Sequence, residues 1–266
     1  MQRFSSYCLT EPDFGSDAGN IKTRAEKTGD YYVINGSKAF ISGSQTGNVL
    51  VLMCRTGGDG PKGISCFIID TDESRQGLSF GRKEKKLGWN SHPARMVNLD
   101  NVKVPASNLL GREGEGFNIA MKGLNGGRTN IASCSLGAAQ WALEETIEYT
   151  SGRKQFGQKI IDFQNTQFEL ASLATKVWAS RLMVREAAKA IDANKDSASV
   201  YAAAAKLAAT DDCFQVIDRC LQLFGGYGYL YDYPVAQLLR DTRVHRILEG
   251  TNEIMKVIIA RSLLSE

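Results

Sequence analysis

The sequence predicts an α+β protein in which an antiparallel β-barrel or sandwich domain is followed by an antiparallel α-helical bundle. Short strand-like runs separated by Gly- and Pro-containing turns fill the first 110 residues. From about residue 117 the apolar residues recur at helical spacing. A glycine-rich stretch at 111–116 separates the two patterns. We therefore place a β domain at residues 1–112 and a helical domain at residues 113–266.

The β part is interpreted as a series of short strands. Asn35-Gly36 is a strong sequence signal for a two-residue hairpin turn, so we expect strands at 31–34 and 37–41 to form one hairpin. Further strands are expected at 48–54, 64–70, 77–80, 96–99 and 102–105. Because no helical pattern separates these runs, antiparallel connections are favoured.

The second part is interpreted as long helices with short links, the pattern of an antiparallel bundle. We expect helices at about 117–150, 163–193, 196–223 and 235–246, and a last one after Thr251. The apolar stripe expected on the second helix is Leu170, Leu173, Ala174, Val177, Val184 and Ile191. The stripe expected on the third is Val200, Ala204, Leu207, Phe214, Ile217 and Leu221.

Composition excludes several classes of function. The 32 basic and 29 acidic residues nearly balance, which argues against nucleic-acid binding. The sequence contains no apolar run of the roughly 20 residues that a membrane span needs. Two histidines and no paired-Cys spacing argue against a metal site. The six cysteines lie in apolar segments, so we expect buried thiols in a reducing compartment.

The stretch from His245 to Arg261 contains the strongest candidate for chemistry. Glu249 stands directly before Gly250 and Thr251, and Thr251 is placed to cap the helix that follows. A carboxylate beside a glycine at a helix start is typical of a catalytic base that a ligand can approach. The same carboxylate can instead serve only to complement the helix dipole. On these residues alone both interpretations remain open.

Four other segments have the same ambiguity. The loop 7–17 combines hydroxyls with a glycine and can cradle a phosphate or a polar ring edge, or be an ordinary polar loop. Residues 40–43 suit a ligand wall or a strand end. Residues 153–157 place an Arg at a helix end, where a basic side chain is expected in any case. Residues 222–228 contain more glycine than a helix end needs.

In their order and spacing these segments resemble the acyl-CoA dehydrogenase family over nearly the whole chain. Tyr7-Cys-Leu-Thr-Glu-Pro with Gly15-Ser16-Asp17 resembles the family's first flavin loop, and Arg153-Lys-Gln-Phe-Gly157 its Arg-x-x-Phe-Gly segment. Gln222 to Gly226 resembles its Gln-x-x-Gly-Gly segment, and Ile247 to Thr251 the segment that holds the catalytic glutamate. Residues 85–90, 123–139 and 261–264 are most similar to the mitochondrial members that act on isobutyryl-CoA.

The resemblance implies an FAD-dependent oxidoreductase that converts isobutyryl-CoA to methacrylyl-CoA in valine breakdown. Glu249 would remove the α-proton while the β-hydride passes to flavin N5. Some members carry the base at the place that is Gly127 here, which leaves Glu249 without a rival. The alternatives are a short/branched-chain acyl-CoA dehydrogenase of other chain preference and a truncated, catalytically silent isoform.

The resemblance also implies the binding residues. Those expected to hold FAD are Tyr7, Cys8, Leu9, Thr10, Ser16, Phe40, Ile41, Ser42, Arg153, Phe163, Gln164, Gln222, Leu223, Phe224, Gly225, Gly226, Thr251, Asn252 and Glu253. Those expected to face the CoA ester are Ser16, Asn125, Gly126, Gly127, Arg128, Gly250 and Arg261. In the family, the contacts of 163–164 and 222–226 reach the neighbouring subunit's flavin.

The implied partners are an acyl-CoA substrate, electron-transfer flavoprotein as electron acceptor, and further copies of the chain in a tetramer. The implied location is the mitochondrial matrix, although we expect no presequence before Tyr7. Family members begin with an additional helical domain, and we expect this sequence to lack it. Without that layer, we expect the flavin face and part of the acyl pocket to be open to water.

Overall fold

A computed structural model describes residues 4–44 and 46–265. The chain divides into two compact units. The first comprises the residues up to Lys86 together with Asn90–Gly123, and the second comprises Leu87–Trp89 and the chain from Leu124 onward. The first is built mainly of strands and the second of helices, so the α+β class is confirmed. The domain boundary at 112–113 stays a prediction.

The strands of the first unit form one sheet. Its strands are β1 (Ser5–Cys8), β2 (Arg24–Thr28), β3 (Tyr31–Ser42), β4 (Val49–Arg55), β5 (Ile64–Asp70), β6 (Leu78–Phe80), β7 (Ala94–Pro105) and β8 (Leu109–Leu110). The order across the sheet is β6-β7-β3-β2-β4-β5-β8, and β1 pairs with β4. The pairings are antiparallel except that β4 is parallel to both β1 and β2. The expected antiparallel sheet therefore includes parallel pairings.

The core of the first unit lies against one face of this sheet. Alternation along β3 buries Tyr32 and Ile34 while Tyr31 remains exposed. Strands β4 and β5 are paired along their whole length, from Val49 opposite Asp70 to Arg55 opposite Ile64, without a register shift. The fully buried members of this core include Ile34, Leu50, Leu52, Phe67, Ile69, Val97, Val102 and Val104. Because successive side chains point to opposite faces, one register places all of them inside.

The prediction of a hairpin turn at Asn35-Gly36 is wrong. Tyr31 to Ser42 is one strand, and the first hairpin turns at Gly29 instead. Gly36 lies at a break in the register with β7, at φ 145°. A Cβ there would come within 2.7 Å of the Thr23 Cα atom. The glycine therefore permits close approach of a neighbouring segment at a β-bulge, not a reversal of the chain.

The second unit is a helical bundle. Its elements are α1 (Gly116–Gly152) from Leu124 onward, the short strands β9 (Lys154–Gln155) and β10 (Gln158–Lys159), α2 (Gln164–Asp192), α3 (Ala198–Leu223), α4 (Pro234–Thr242) and α5 (Asn252–Leu264). The helix expected at 235–246 ends at Thr242 and continues as a 3-10 turn, Arg243–Arg246. The other helices lie close to the expected ranges, because their apolar periodicity is long and regular.

The stripe expected on α2 is buried at Leu170, Leu173, Val177 and Val184. Of the stripe expected on α3, only Ile217 is buried. The residues that α3 buries are Ala202, Ala203, Ala205, Lys206, Ala209, Thr210, Cys213, Val216, Ile217 and Cys220. This helix packs against α2, α4 and α5, so it is enclosed on more than one side. Small residues on its buried face allow that close packing, while several of its larger apolar residues are only half-buried.

Two further expectations concern the burial of the cysteines and the lack of a membrane-spanning segment. Five thiols are buried as expected, but Cys134 on α1 is exposed. Within residues 4–44 and 46–265, no helix combines the length and apolar composition needed to cross a membrane.

Candidate active site

Glu249 occupies an unusual backbone position in the second unit. It lies between the 3-10 turn and α5, and its φ is 57°. Gly250 follows at φ 87°, so two successive residues adopt left-handed conformations. This region is easy for glycine but costs about 1 kcal/mol or more for a residue with a Cβ. The surroundings of Glu249 must therefore hold it in place.

Helix α1 leaves a gap for the Glu249 carboxylate at Gly127. A Cβ at Gly127 would lie within 2.8 Å of the carboxylate carbon and closer still to one of its oxygens. The absence of a side chain thus makes room for the carboxylate itself. The neighbouring Gly126 has no atom within 4 Å of a Cβ position. Of the two glycines, Gly126 is the one with free space beside it.

Two cations hold the backbone of this turn from opposite helices. Arg128 of α1 donates from Nε to the Glu249 carbonyl at 3.2 Å. Lys206 of α3 donates from Nζ to the Gly250 carbonyl at 2.9 Å. Both side chains are buried, with Lys206 fully so. Arg128 is in turn fixed by Asn125, whose Oδ1 accepts from Nη1 at 3.0 Å. The left-handed turn is therefore bound at two successive carbonyls.

A buried polar network lies behind Lys206. Its Nζ also donates to Asn252 Oδ1 at 2.8 Å. Asn252 donates from Nδ2 to Thr210 Oγ1 and to Asp211 Oδ1, each at 3.0 Å. Asp211 also accepts from Arg246 Nε at 2.6 Å. Every member has a partner, which a low-dielectric interior requires.

The electrostatics of the turn raise the proton affinity of Glu249. Burial raises the pKa of its carboxyl group above the ordinary range, while the charges of Arg128 and Lys206 oppose the rise. Burial also lowers the pKa of Lys206 to about 8. A carboxylate whose pKa is raised is a stronger base than an exposed one.

The start of α5 follows directly. Thr251 caps the helix, as expected, and its Oγ1 accepts from the Ile254 backbone N–H at 3.3 Å. Asn252 is buried with its side chain bound inside the unit, so a cofactor contact there falls to its backbone. Glu253 is exposed in the first turn. Arg261 is exposed, about 12 Å further along the helix than Glu253 at 1.5 Å per residue.

A second cluster forms a groove of about 540 Å³ in the same unit. It is lined by Arg153 and by the whole segment Gln222–Gly226, together with Tyr149 and Tyr227. The Phe224 ring stacks on Tyr149 with centroids 4.3 Å apart. The Arg153 guanidinium lies over the Tyr227 ring at 5.5 Å. The structure thus brings together two segments that the sequence separates by about 70 residues.

The Arg153–Gly157 segment is a hairpin that the sequence analysis missed. Strands β9 and β10 are joined by Phe156 and Gly157, with φ values of 52° and 80°. Two successive positive φ values are the signature of a type I′ turn. Phe156 is 94% exposed. Phe163 is half-buried with its ring 6.4 Å from that of Phe156, and Gln164 is exposed; neither lines the groove.

The first unit contains the remaining expected cofactor residues. Tyr7 and Cys8 end β1, Leu9 and Thr10 follow, and Phe40, Ile41 and Ser42 end β3. The Ala39 backbone N–H donates to the Thr10 carbonyl at 2.8 Å, which joins the two segments. Phe40 is 71% exposed at φ 58°, while Cys8 and Ile41 are buried in the core. Ser16 lies exposed in the loop that follows.

A buried ion pair fixes this loop. Lys38 Nζ donates to Glu11 Oε1 at 2.8 Å and to the Leu9 carbonyl at 2.9 Å. Glu11 also accepts from the backbone N–H groups of Lys22 and Thr23. The sequence analysis missed this pair and Lys206. A lysine amid alanines on a bundle helix is the signal that could have identified Lys206.

These residues fit FAD, which resemblance alone had suggested. The groove offers a cation for an anionic diphosphate and aromatic walls for a flat ring system. Gly225, at φ 60°, and Gly226 have no atom within 4 Å of a Cβ position, so a ligand can approach their backbone. In the first unit, an exposed aromatic ring at Phe40 stands beside the Leu9–Thr10 segment.

Models of known protein families match both parts of the chain. The model for the acyl-CoA dehydrogenase middle domain matches residues 6–102, and that for the C-terminal domain matches residues 114–264. The mitochondrial isobutyryl-CoA dehydrogenase of Dictyostelium discoideum is 56% identical over 99% of this chain and 63% of that protein. That of Bos taurus is 53% identical over 100% of this chain and 64% of that protein.

The solved structure of butyryl-CoA dehydrogenase from Megasphaera elsdenii is similar throughout, with a TM-score of 0.95 and 39% identity. The match covers 98% of this chain and 68% of the Megasphaera elsdenii chain. The chain spans somewhat less than two thirds of the length of the two isobutyryl-CoA dehydrogenases. The models of both domains match the sequence, and the chain has the fold of a solved butyryl-CoA dehydrogenase. The chain therefore belongs to the acyl-CoA dehydrogenase family.

Proposed function

We propose that the chain catalyses FAD-dependent α,β-dehydrogenation of a short branched acyl-CoA, namely isobutyryl-CoA to methacrylyl-CoA. The observation that carries the proposal is the geometry of Glu249. Its carboxylate is half-buried beside Gly127 of α1, and its backbone is bound by Arg128. The similarity to two isobutyryl-CoA dehydrogenases supports the choice of substrate.

The chemistry asked of Glu249 is removal of the proton on the carbon next to the thioester. Such a proton is a weak acid, so the base needs a raised pKa and a fixed orientation. Burial supplies the first, and the bound left-handed turn supplies the second. FAD, when bound, supplies the acceptor for the β-hydride. Stabilisation of the negative charge that develops on the thioester oxygen requires hydrogen-bond donors aimed at that atom.

The remaining sites follow from the same assignment. Arg153 would meet the diphosphate of FAD, and Gln222–Gly226 would line the adenine part of the neighbouring subunit's FAD. Tyr7–Thr10 and Phe40–Ser42 would hold the flavin ring. Thr251 and Glu253 would meet FAD at the N-terminus of α5, where free N–H groups favour an anion. Gly126 and Arg261 would face the CoA ester, Gly126 because open space lies beside it.

The proposed cellular setting is the mitochondrial matrix, in valine breakdown, with electron-transfer flavoprotein as the acceptor of electrons. The mitochondrial relatives support the location. The proposed assembly is a homotetramer. Exposed apolar side chains along α2, among them Phe168, Trp178 and Leu182, offer a surface for such an assembly.

Substitution of the base tests the function. The purified chain with FAD should lose its visible flavin absorbance when isobutyryl-CoA is added without oxygen. We expect Glu249→Gln to slow this loss by about 100-fold to 10,000-fold, the usual contribution of a general base. The control is Glu186→Gln on α2, whose carboxylate forms an exposed pair with Lys189. Chain preference is read from a panel of isobutyryl-, 2-methylbutyryl- and butyryl-CoA.

Two outcomes would contradict the proposal. A protein that binds no flavin, or whose flavin keeps its absorbance with every substrate of the panel, would favour the catalytically silent alternative. Equal rates for Glu249→Gln and the unaltered chain would remove Glu249 from the role of base. A faster reaction with 2-methylbutyryl-CoA would reassign the substrate and leave the reaction class unchanged.

A further inference from the structure

Lys206 is a buried cation that the reaction described above does not use. It lies in the middle of α3 with no exposed surface, and Ala202, Ala203, Ala205 and Ala209 of the same helix are buried too. Burying an ammonium group is costly unless its hydrogen bonds are satisfied. Its described partners belong to one short stretch, the Gly250 carbonyl and Asn252. The helix thus contributes a buried charge to the single turn that contains Glu249.

The contact has a specific structural consequence. Gly250 follows Glu249 in a left-handed conformation, so the direction of its carbonyl and that of the Glu249 side chain are set together. Arg128 binds the carbonyl of Glu249 and Lys206 binds the next one. Released from either cation, the turn is free to relax towards the right-handed region that a residue with a Cβ prefers. That change would turn the carboxylate away from Gly127.

We propose that Lys206 is a positioning residue for Glu249, one that fixes the left-handed turn through the Gly250 carbonyl and places a positive charge near the carboxylate. The proposal rests on the assignment of Glu249 as the base. It assigns to a residue of α3 a part in orienting the reactive group. Lys206 itself touches neither substrate nor cofactor in this arrangement.

The charges around Lys206 determine the sign of the effect on pH dependence. Those that face it are Asp211 of α3, Arg128 of α1, Glu249, Glu253 of α5 and His245 of the 3-10 turn, with Arg246 bound to Asp211. The Lys206 charge lowers the pKa of Glu249 against the rise caused by burial. Loss of the charge therefore raises the pKa of Glu249, and the base becomes ionised only at higher pH.

Three variants test the proposal. Lys206→Met removes both the hydrogen bonds and the charge, whereas Lys206→Gln removes the charge but retains an N–H donor. Lys176→Met is the matched control, because Lys176 lies on α2 and pairs with Asp212 at the surface. We expect Lys206→Met to lower kcat by about 10-fold to 100-fold, the scale of a small misplacement of a reactive group. The acidic limb of the kcat/KM profile should move to higher pH in both Lys206 variants.

A second readout does not depend on turnover. With ¹³C-labelled glutamate, the Glu249 carboxyl signal is assigned by its loss in Glu249→Gln and titrated by NMR. We expect its midpoint to rise in both Lys206 variants and to stay unchanged in Lys176→Met. If Lys206→Met does not fold, Lys206→Gln carries this test.

The outcomes separate the two proposals. A Glu249 midpoint in Lys206→Gln equal to that of the unaltered chain overturns the role of the charge. An unaltered kcat in folded Lys206→Met overturns the positioning role. If the unaltered chain does not oxidise isobutyryl-CoA but the NMR midpoint still moves, the proposed function fails and the link between Lys206 and Glu249 stands.

Discussion

At the scale of single residues, the second unit contains a buried histidine that its surroundings keep neutral. This residue is His245. Its Nδ1 lies 2.8 Å from Ser135 Oγ, and its ring meets Trp89 edge-on at 5.2 Å. Burial, aided by the Lys206 charge, lowers the pKa of His245 to about 4. The imidazole is therefore neutral in the folded protein at physiological pH, which keeps a further positive charge away from the Glu249 turn.

This depressed pKa predicts a loss of stability in mild acid. The unfolded chain binds the proton near the ordinary value of 6.5, whereas the folded chain binds it near 4. The stabilising contribution is therefore complete above about pH 6.5 and is lost as the pH falls towards 4. This difference in pKa corresponds to a change of about 3 kcal/mol in the free energy of unfolding. We expect His245→Gln to lose less of its free energy of unfolding between pH 7 and pH 5 than the unaltered chain.

Urea unfolding at the two pH values measures the effect. The control is His92→Gln, since His92 is the other histidine of the chain and is exposed. Glu11 adds nothing to this loss, because its pKa is held below the ordinary value of 4.5 and its carboxylate therefore stays ionised at both pH values. Equal pH dependence in His245→Gln and the unaltered chain would show that His245 does not cause the loss.

At the scale of elements, glycines that look alike in the sequence have different tasks. Gly29 forms the turn between β2 and β3, with no atom within 4 Å of a Cβ position. Gly36 lies inside β3, where a Cβ would collide with Thr23. We expect Gly36→Ala to lower the free energy of unfolding by about 2 kcal/mol or more, the range for strain at a special backbone position.

The matched control for this element is Gly29→Ala, which meets no neighbour and costs about 1 kcal/mol for its left-handed φ alone. Urea unfolding compares the two variants. If the two substitutions cost the same, the collision with Thr23 is relieved by a small shift and the bulge does not depend on Gly36.

The elements also show how far the sequence could lead. Long helices such as α2 were predictable because many residues repeat one period. The Asn35-Gly36 error arose because the same dipeptide suits a turn and a bulge, and only the neighbouring Thr23 decides between them. Glu249 and the groove segments were identified through their similarity to a family. Lys206 was missed because its role depends on α5, whose position relative to α3 no local pattern reveals.

At the scale of the whole molecule, the second unit leaves part of its apolar surface uncovered. On α2, Trp178 and Leu182 are 63% and 67% exposed, although they stand one helical turn apart on the same face. Isolated exposed apolar residues are ordinary, but neighbouring ones of this size are typical of an interface. We expect the double variant Trp178→Lys with Leu182→Glu to reduce the proposed tetramer to a smaller species.

Light scattering coupled to gel filtration measures the mass. The control, Leu264→Glu, alters a still more exposed apolar residue at the end of α5. The helical signal in circular dichroism should remain unchanged in all variants. A double variant with the mass of the unaltered chain would place the interface elsewhere.

The Glu11–Lys38 pair has an evolutionary consequence. Glu11 stands in the Tyr7–Pro12 segment, by which an acyl-CoA dehydrogenase can be recognised, yet its carboxylate faces Lys38 and two backbone N–H groups inside the β domain. Removing either charge would leave the other buried and unpaired, at a cost of several kcal/mol. A descendant that lost the reaction would still be under selection to keep Glu11 and Lys38, because the β domain needs both to fold. The Tyr7–Pro12 segment is therefore better evidence of ancestry than of activity. The left-handed turn at Glu249 is strained and serves only the base, so its sequence would be the first to change.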